Sequence, residues 1–358
     1  MVSAGMMKMS GWKGLKYSRC ALFLAVLSTF FLNISVAETN HKDELVLRPA
    51  MISSKVTQSL LLDLAVQGES LAAVGERGHV ILSKDNGRSW MQSPTPVTIM
   101  LTGVAMPDQN NLFVVGHEGL IMHSGDAGKT WEVQYGNPYV PAKEGAEDDA
   151  FGGGDPRAGA PLLDVWFKDA NHGFALGAYG ALLHTQDGGK SWEDWSDRMD
   201  NEDQWHLNAL ATEDKELLYI VGEKGMIFRS LDGGESWQTL ESPYDGSLFG
   251  VLVGPGRDEV MVFGLQGKIY RSTNRGDSWV QVNSPTDNSL MGGTFLDGRN
   301  VVLVGNNGVI LYSRDGGNSF DMQQMKDRLS ITAIQRNAEG RLVMVGQAGV
   351  RLASPAMK

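Results

Sequence analysis

Ser230-Leu231-Asp232-Gly233-Gly234-Glu235-Ser236-Trp237 is one of six copies of a single pattern, Ser/Thr-x-Asp-x-Gly-x-Ser/Thr-aromatic. The other copies begin at Ser83, Ser124, Thr185, Ser272 and Ser313 and end at Trp90, Trp131, Trp192, Trp279 and Phe320. Their acidic position holds Asp85, Asp126, Asp187, Asn274 and Asp315, so the asparagine is a conservative departure, as is Phe320 at the end. The pattern predicts a tight hairpin turn. The Asp or Asn side chain accepts hydrogen bonds from backbone amides a few residues ahead. Glycine supplies the positive φ, and the aromatic opens the next strand with a large apolar surface to bury.

A second repeat runs in phase with the first. Seven Gly-x-x-Gly turns follow apolar runs, with their first glycines at Gly75, Gly116, Gly177, Gly222, Gly264, Gly305 and Gly346. The intervals are 41, 61, 45, 42, 41 and 41 residues. A sustained period near forty marks a repeat architecture of seven units, six of which carry the aspartate turn. In the fourth unit, short strands are expected at 207–212, 217–221, 226–229 and 237–240, separated by Gly-rich or Pro-containing turns. Glycine interrupts every apolar run before a helix could form.

Four short strands per unit and seven units predict an all-β, seven-bladed β-propeller of four-stranded antiparallel blades. An open array would leave two unpaired edges, and ring closure removes them. The seventh unit stops after its third strand, so the N-terminal strand, at 47–53, is expected to close the ring by completing that blade. The lead-in 41–58 holds a further strand candidate at Val56. The repeats span about 48–354, within one domain at 38–358.

The first 37 residues have a different character. Lys8, Lys13, Lys16 and Arg19 precede an almost wholly apolar run, and Ser35-Val36-Ala37 places small residues where a signal peptidase reads. This predicts a signal peptide cleaved after Ala37, hence an exported, periplasmic protein. The apolar run is short for a membrane span. The only cysteine, Cys20, lies in this segment, so the remainder has no disulfide to form. The segment carries four positive and no negative charges, so residues 38–358 are more acidic than the whole chain at −11. Such a surface argues against nucleic acid as a partner.

The repeated aspartate turn resembles the Asp-box, or bacterial neuraminidase repeat. Together with the Val-Gly-x-x-Gly runs and a single ring of seven repeats, it is similar to the photosystem II stability and assembly factor family and its bacterial relatives, over about 48–354. The WD-repeat signatures are absent. The resemblance implies a non-enzymatic scaffold, a monomer without cofactor or metal, that binds a membrane protein or membrane complex from the periplasmic side and assists its assembly or stability. It also implies an arginine-bearing contact patch, of which this acidic sequence shows no evident cluster. A transporter complex is as compatible a partner as a photosystem.

Catalytic readings of the residues are weaker. Six equivalent positions on six blades cannot converge, so the five aspartates Asp85, Asp126, Asp187, Asp232 and Asp315, with Asn274 and the six aromatics, are assigned to structure. Arg229, Arg271 and Arg314 sit in or beside these turns and are read as packing or solvated charges. A glycosidase needs two carboxyl groups about 5–10 Å apart. Asp63 and Asp164, both in first strands, are the candidates, where the other repeats have Gly103, Ala209, Gly250, Gly292 and Ala333, although a solvated or hydrogen-bonded pair lining the channel mouth is the stronger reading of them. The alternative function is accordingly a glycan-cleaving or glycan-binding, sialidase-like propeller, for which Trp166, Tyr179 and Trp205 would have to gather near Asp164. His123 and His184 hold equivalent positions on neighbouring blades, too far apart to share one metal ion.

Partner binding is assigned to the face bearing the Gly-x-x-Gly turns. Their glycines recur while the middle residues vary, and Glu76, Arg77, His117, Glu118, Tyr179, Glu223 and Lys224 are the candidate contacts. The long third interval is a loop insertion at 136–160, Gly-rich and acidic, joining two blades on that same face. Long loops in compact domains are usually functional or disordered.

Overall fold

The two turn types dictate the fold because each joins neighbouring strands of one hairpin, at opposite ends. A computed structural model describes residues 48–136, 157 and 159–353. The chain divides into two compact units, 1–39 and 40–358, and all described residues lie in the second. The expected signal peptide therefore falls outside the described residues.

Seven antiparallel sheets succeed one another along the chain, at 61–93, 101–135, 162–194, 207–239, 248–282, 290–324 and 331–353. They are numbered blades 1 to 7. In blade 4 the strands are Leu207–Thr212, Leu218–Gly222, Ile227–Ser230 and Gln238–Thr239, each within two residues of the sequence expectation. The first strands of successive blades are neighbours, and Ile331–Arg336 of blade 7 lies beside Leu61–Gln67 of blade 1, which closes the ring. Among the described residues the only helical segments are single 3-10 turns, and no helix is long and apolar enough to cross a membrane.

The second strand of each blade is buried along most or all of its length, as in Leu112–Gly116 and Val301–Gly305. It is covered on both faces by neighbouring blades, which is why it reads as a continuous apolar run rather than an alternating one. The core is accordingly divided into seven clusters, one at each blade boundary. At six of them the turn aromatic of one blade packs against the blade before it. Trp237 of blade 4 meets Phe174 of blade 3 edge-on at 6.2 Å. Trp131 of blade 2 donates its indole N–H to Ser93 Oγ of blade 1 at 2.7 Å. The boundary of blades 6 and 7 has no such aromatic.

The first glycine of each Gly-x-x-Gly turn is there for close approach. A Cβ on it would stand 2.1 to 2.4 Å from the carbonyl oxygen preceding the blade's first strand, Leu60 in blade 1 and Met100 in blade 2.

Two expectations for the N-terminal lead-in need correction. Val56–Gln58 forms a single 3-10 turn, not a strand, with Val56 buried against Val343 and Val345 of blade 7. Blade 7 has three strands among the described residues, and 48–53 is not a strand on its edge. That stretch lies on blade 1 instead. Ala50 N donates to Thr95 O at 3.0 Å. Gln92 accepts from Ser53 N at 2.8 Å and donates to Met51 O at 3.0 Å. The Gln92 amide thus substitutes for a strand partner, and Pro49 offers no N–H for a ladder. Leu47, the first residue of the expected latch, lies outside the described residues.

Candidate functional site

Six of the Gly-x-x-Gly turns share one conformation. Their third residue takes a left-handed φ although it is not glycine: Arg77 at 57°, Glu118 at 60°, Tyr179 at 55°, Lys224 at 54°, Gln266 at 55° and Asn307 at 59°. This conformation costs an L-residue roughly 1–2 kcal/mol. Arg77, Glu118, Tyr179 and Lys224 are exposed, as is His117 in the second position.

The acidic second residues do something else. Glu76 accepts the Leu60 amide at 3.2 Å, and Glu223 accepts the His206 amide at 3.2 Å. Each side chain holds the entry to its blade's first strand, and Gln347 does the same for Ser330 N at 2.9 Å. Of the seven candidate contacts, Glu76 and Glu223 therefore position the frame, and the other five present side chains to solvent.

Tyr179 meets the His206 ring edge-on at 5.3 Å, and Lys224 lies 5.6 Å from the centre of the Trp205 ring. The described ends of the insertion lie against the Gly116 turn: a Cβ on Gly136 would come within 2.8 Å of Leu120 Cα, and one on Gly119 within 3.5 Å of Gly159 Cα. Beside them is a cavity of ≈ 510 Å³ with Val133, Leu162 and Leu183 in its floor and Glu118, Arg157 and Asp194 at its rim. Arg157 also lines an adjoining cavity of ≈ 320 Å³ that reaches Tyr179 and Asn201. Residues 137–156 lie outside the described residues.

The central channel is a cavity of ≈ 450 Å³ walled by the first strands of all seven blades. Asp63 and Asp164 both line it. Asp63 Oδ2 accepts Val104 N of blade 2 at 2.8 Å, and Asp164 Oδ2 accepts Leu210 N of blade 4 at 2.8 Å. Asp164 also accepts Val165 N at 2.7 Å. Burial pushes Asp164 up to about 7, and the neighbouring Asp63 carboxylate adds to the rise. Burial raises Asp63 as well. Each carboxyl group thus ties one blade to the next, so the pair is hydrogen-bonded as the sequence reading allowed, with partners it did not name because they are backbone amides. Trp166 lines the same cavity, but Tyr179 and Trp205 are outside its wall, so the three aromatics are not gathered around Asp164.

The five turns that carry an aspartate form the same network at the opposite end of the blades, while in the sixth Asn274 Nδ2 donates to Ser278 Oγ at 3.0 Å. Asp232 Oδ1 accepts from Ser230 Oγ at 2.7 Å and Ser236 N at 3.0 Å, and Oδ2 from Ser236 Oγ at 2.6 Å. Ser230 Oγ in turn accepts Gly234 N at 2.8 Å. The same bonds hold Asp85, Asp187 and Asp315 down to about 2, led by the hydroxyl donors Ser89, Ser191 and Ser319. Asp126 is lowered in the same way. Gly234 has a φ of 96°, and a Cβ there would meet the Phe174 ring at 2.4 Å. Arg229 and Arg271 reach the next blade's turn, donating to Arg275 O at 2.7 Å and Gly316 O at 2.8 Å.

His123 stacks on Phe113 at 4.4 Å and bonds Asn111 Oδ1 at 2.9 Å. His184 is buried between Phe174 and Trp195, and that burial lowers its pKa to about 4. Among the described residues no three His, Cys, Asp or Glu side chains gather as metal ligands.

Residues 157–284, which cover blades 3 to 5, match the family model described as photosynthesis system II assembly factor YCF48. No curated protein matches the chain. Among solved structures, YCF48 bound to a D1 peptide is similar with a TM-score of 0.64 and 18% identity, over 89% of this chain and 100% of that one. YCF48 from Cyanidioschyzon merolae gives a TM-score of 0.63 at 16% identity, over 86% and 98%. The GH74 xyloglucanase from Xanthomonas campestris also gives 0.63, at 12% identity, but this chain covers only 53% of it. At these identities the structural likeness concerns the fold.

Proposed function

From the premise that this chain is a photosystem II assembly factor-like β-propeller, we propose that it is an exported, non-enzymatic scaffold. It binds a membrane protein or membrane complex from the periplasmic side and assists its assembly or stability. One observation carries the reading: six side chains of different chemistry stand in left-handed turns that glycine would fill at lower cost, all on one face. A turn with only a structural duty gains nothing from that strain, whereas a contact surface needs the side chains. The relative bound to a D1 peptide supports a polypeptide partner. The two channel carboxyl groups are each engaged by a neighbouring blade's amide, which favours a structural role over glycoside hydrolysis. Export and cleavage after Ala37 rest on the sequence of residues 1–37, and a monomer is the expected state.

The test is capture from detergent-solubilised membranes. Exchange of Glu118, Tyr179 and Lys224 for alanine, or replacement of 136–160 by a short Gly-Ser turn, should leave the fold intact and weaken capture. Undiminished capture by both variants, with loss on altering surface residues around the aspartate turns, would place the partner on the other face.

A further inference from the structure

Three strongly exposed apolar side chains share the outer edge of blade 1. Met51 is 80% exposed and Ile52 64%, and Met91, on the fourth strand of that blade, is 69%. Leu231, Val280 and Met322 are also exposed, but on three different blades, and single apolar residues are ordinary on any surface. The lead-in that bears Met51 and Ile52 is fixed to blade 1 through its backbone groups. Ala50 is buried and its N–H donates to Thr95 O at 3.0 Å. The Gln92 amide donates to Met51 O at 3.0 Å and accepts from Ser53 N at 2.8 Å. These bonds leave the Met51 and Ile52 side chains unused, so the frame holds two large apolar groups in water without needing them for its own stability.

Charge is the second observation. Arg48 and Lys55 flank the apolar pair, and both are exposed. The two stretches that build this edge, 48–62 and 86–107, contain Arg48, Lys55 and Arg88 and no Asp or Glu, in a chain with 42 acidic and 31 basic residues. Salt screens the acidic remainder beyond about 8 Å, so the local sign decides what the edge meets. Position is the third. Thr95, which holds Ala50, also donates through Oγ1 to Gly78 O at 2.6 Å. The lead-in therefore sits at the Gly-x-x-Gly end of blade 1, where Arg77 is exposed as well.

We propose that the Met51–Ile52 tip, with Met91 on the adjoining strand and Arg48 and Lys55 to either side, docks on the surface of a lipid bilayer that contains anionic lipids. Apolar side chains flanked by Lys and Arg suit that interface: the apolar groups enter the acyl boundary while the cationic ends reach headgroup phosphates. Three side chains are too few for a stable protein interface, which buries about 800 Å² on each partner, but they suffice for weak, reversible lipid contact. Because the tip shares its end of the ring with the proposed contact turns, a chain resting on the bilayer meets its membrane partner at a raised effective concentration. The inference rests on the reading of the protein as an exported scaffold for a membrane partner.

The chain from Glu38 to Lys358, which holds the whole compact unit 40–358, is tested by co-sedimentation with vesicles of phosphatidylcholine and of phosphatidylcholine mixed with phosphatidylglycerol. It should bind the anionic vesicles, and less so at high salt. Met51→Ser combined with Ile52→Ser should weaken that binding by about tenfold or more. Arg48→Gln combined with Lys55→Gln should weaken it by about tenfold. Neither pair should change the melting temperature, since the bonds that hold the lead-in remain. Ile52→Cys and Val280→Cys each give a single-cysteine chain, because Cys20 lies outside 38–358. A polarity-sensitive dye should shift to the blue on the vesicles at position 52 and not at position 280. No binding to either vesicle, binding that the serine variant leaves unchanged, or a dye shift at 280 without one at 52 overturns the proposal. A concentration-dependent dimer that the serine variant abolishes assigns the tip to a second copy. Loss of capture from detergent-solubilised membranes in that variant, with no vesicle binding by wild type, assigns it to the partner protein. Either result overturns lipid as the occupant. Capture of a membrane protein without vesicle binding leaves the scaffold reading standing and the lipid site refuted. Vesicle binding by the tip without capture of any membrane protein supports the lipid site and refutes the scaffold reading.

Discussion

Asp164 reaches across the boundary between blades 3 and 4 and accepts the Leu210 amide at 2.8 Å, in a channel where its carboxyl is pushed up to about 7. The folded state therefore holds a proton on Asp164 at pH values where the unfolded chain has already lost it. From about pH 4 to about pH 7 the folded protein binds more protons, so this group's contribution falls as pH rises. Asp164→Asn preserves a neutral amide-accepting oxygen. It should be near neutral at about pH 4 and stabilising at pH 8 by roughly 1–3 kcal/mol, discounted for solvent in the channel. Denaturant titrations of both proteins at the two pH values measure this, and a pH-independent difference would mean that Asp164 is ionised throughout.

Trp237→Ala should cost roughly 2–4 kcal/mol, below the full range for a core tryptophan because the ring is partly exposed. The physical reason is the blade boundary: the indole meets Phe174 of the preceding blade, so its loss opens a gap between two sheets and not within one. Gly234→Ala should be destabilising as well, through the φ of 96° and the 2.4 Å approach to Phe174. Equilibrium unfolding of each variant checks both.

The sequence made these boundaries visible only in part. Period, turn chemistry and the Trp237 type of aromatic were legible because each is a local rule repeated six times. That Trp237 faces the previous blade was not, since a period cannot say which neighbour a face meets. The left-handed Lys224 type of position was hidden for the opposite reason: variable, non-glycine residues give no φ signal. The lead-in misled because apolar residues near Leu47 fitted a strand, while the deciding partner, the Gln92 side chain, lies about forty residues away in sequence. Asp63 and Asp164 were found as exceptions among small residues, but their backbone acceptor role required the ring to be closed.

Asp232→Ala should lower stability by about 1 kcal/mol at pH 7, the low end for hydrogen bonds lost at an exposed turn. Burial acts to raise the Asp232 pKa, but the Ser236 and Ser230 donors outweigh it and the net shift is downward. For a lowered carboxylate, the stabilisation is present above about pH 4 and is lost as pH falls through the folded value. Asp85, Asp187 and Asp315, each near 2, act in the same direction. The wild-type protein should therefore lose stability steeply between pH 4 and pH 2, and the difference between wild type and Asp232→Ala should shrink over that window. A difference that stays constant to pH 2 would exclude the carboxylate as its source. Capture of the membrane partner at neutral pH should be unchanged.

Lys224→Gly separates stability from recognition most directly. Lys224 holds a φ of 54° at the third position of its turn, exposed, with its ammonium near the Trp205 ring. Glycine adopts that conformation without the Cβ clash, and the gain outweighs its greater loss of backbone entropy, so the variant should be more stable by roughly 0.5–1 kcal/mol. The weak attraction to Trp205 at 5.6 Å subtracts only a little from this. If the turn ring contacts the partner, the same substitution should reduce capture from solubilised membranes, and Glu118→Gly and Tyr179→Gly should behave alike. Greater stability with weaker capture is the expected pair of results. Greater stability with full capture in all three variants would leave these left-handed side chains without a binding role and move the search for the contact surface elsewhere on the ring.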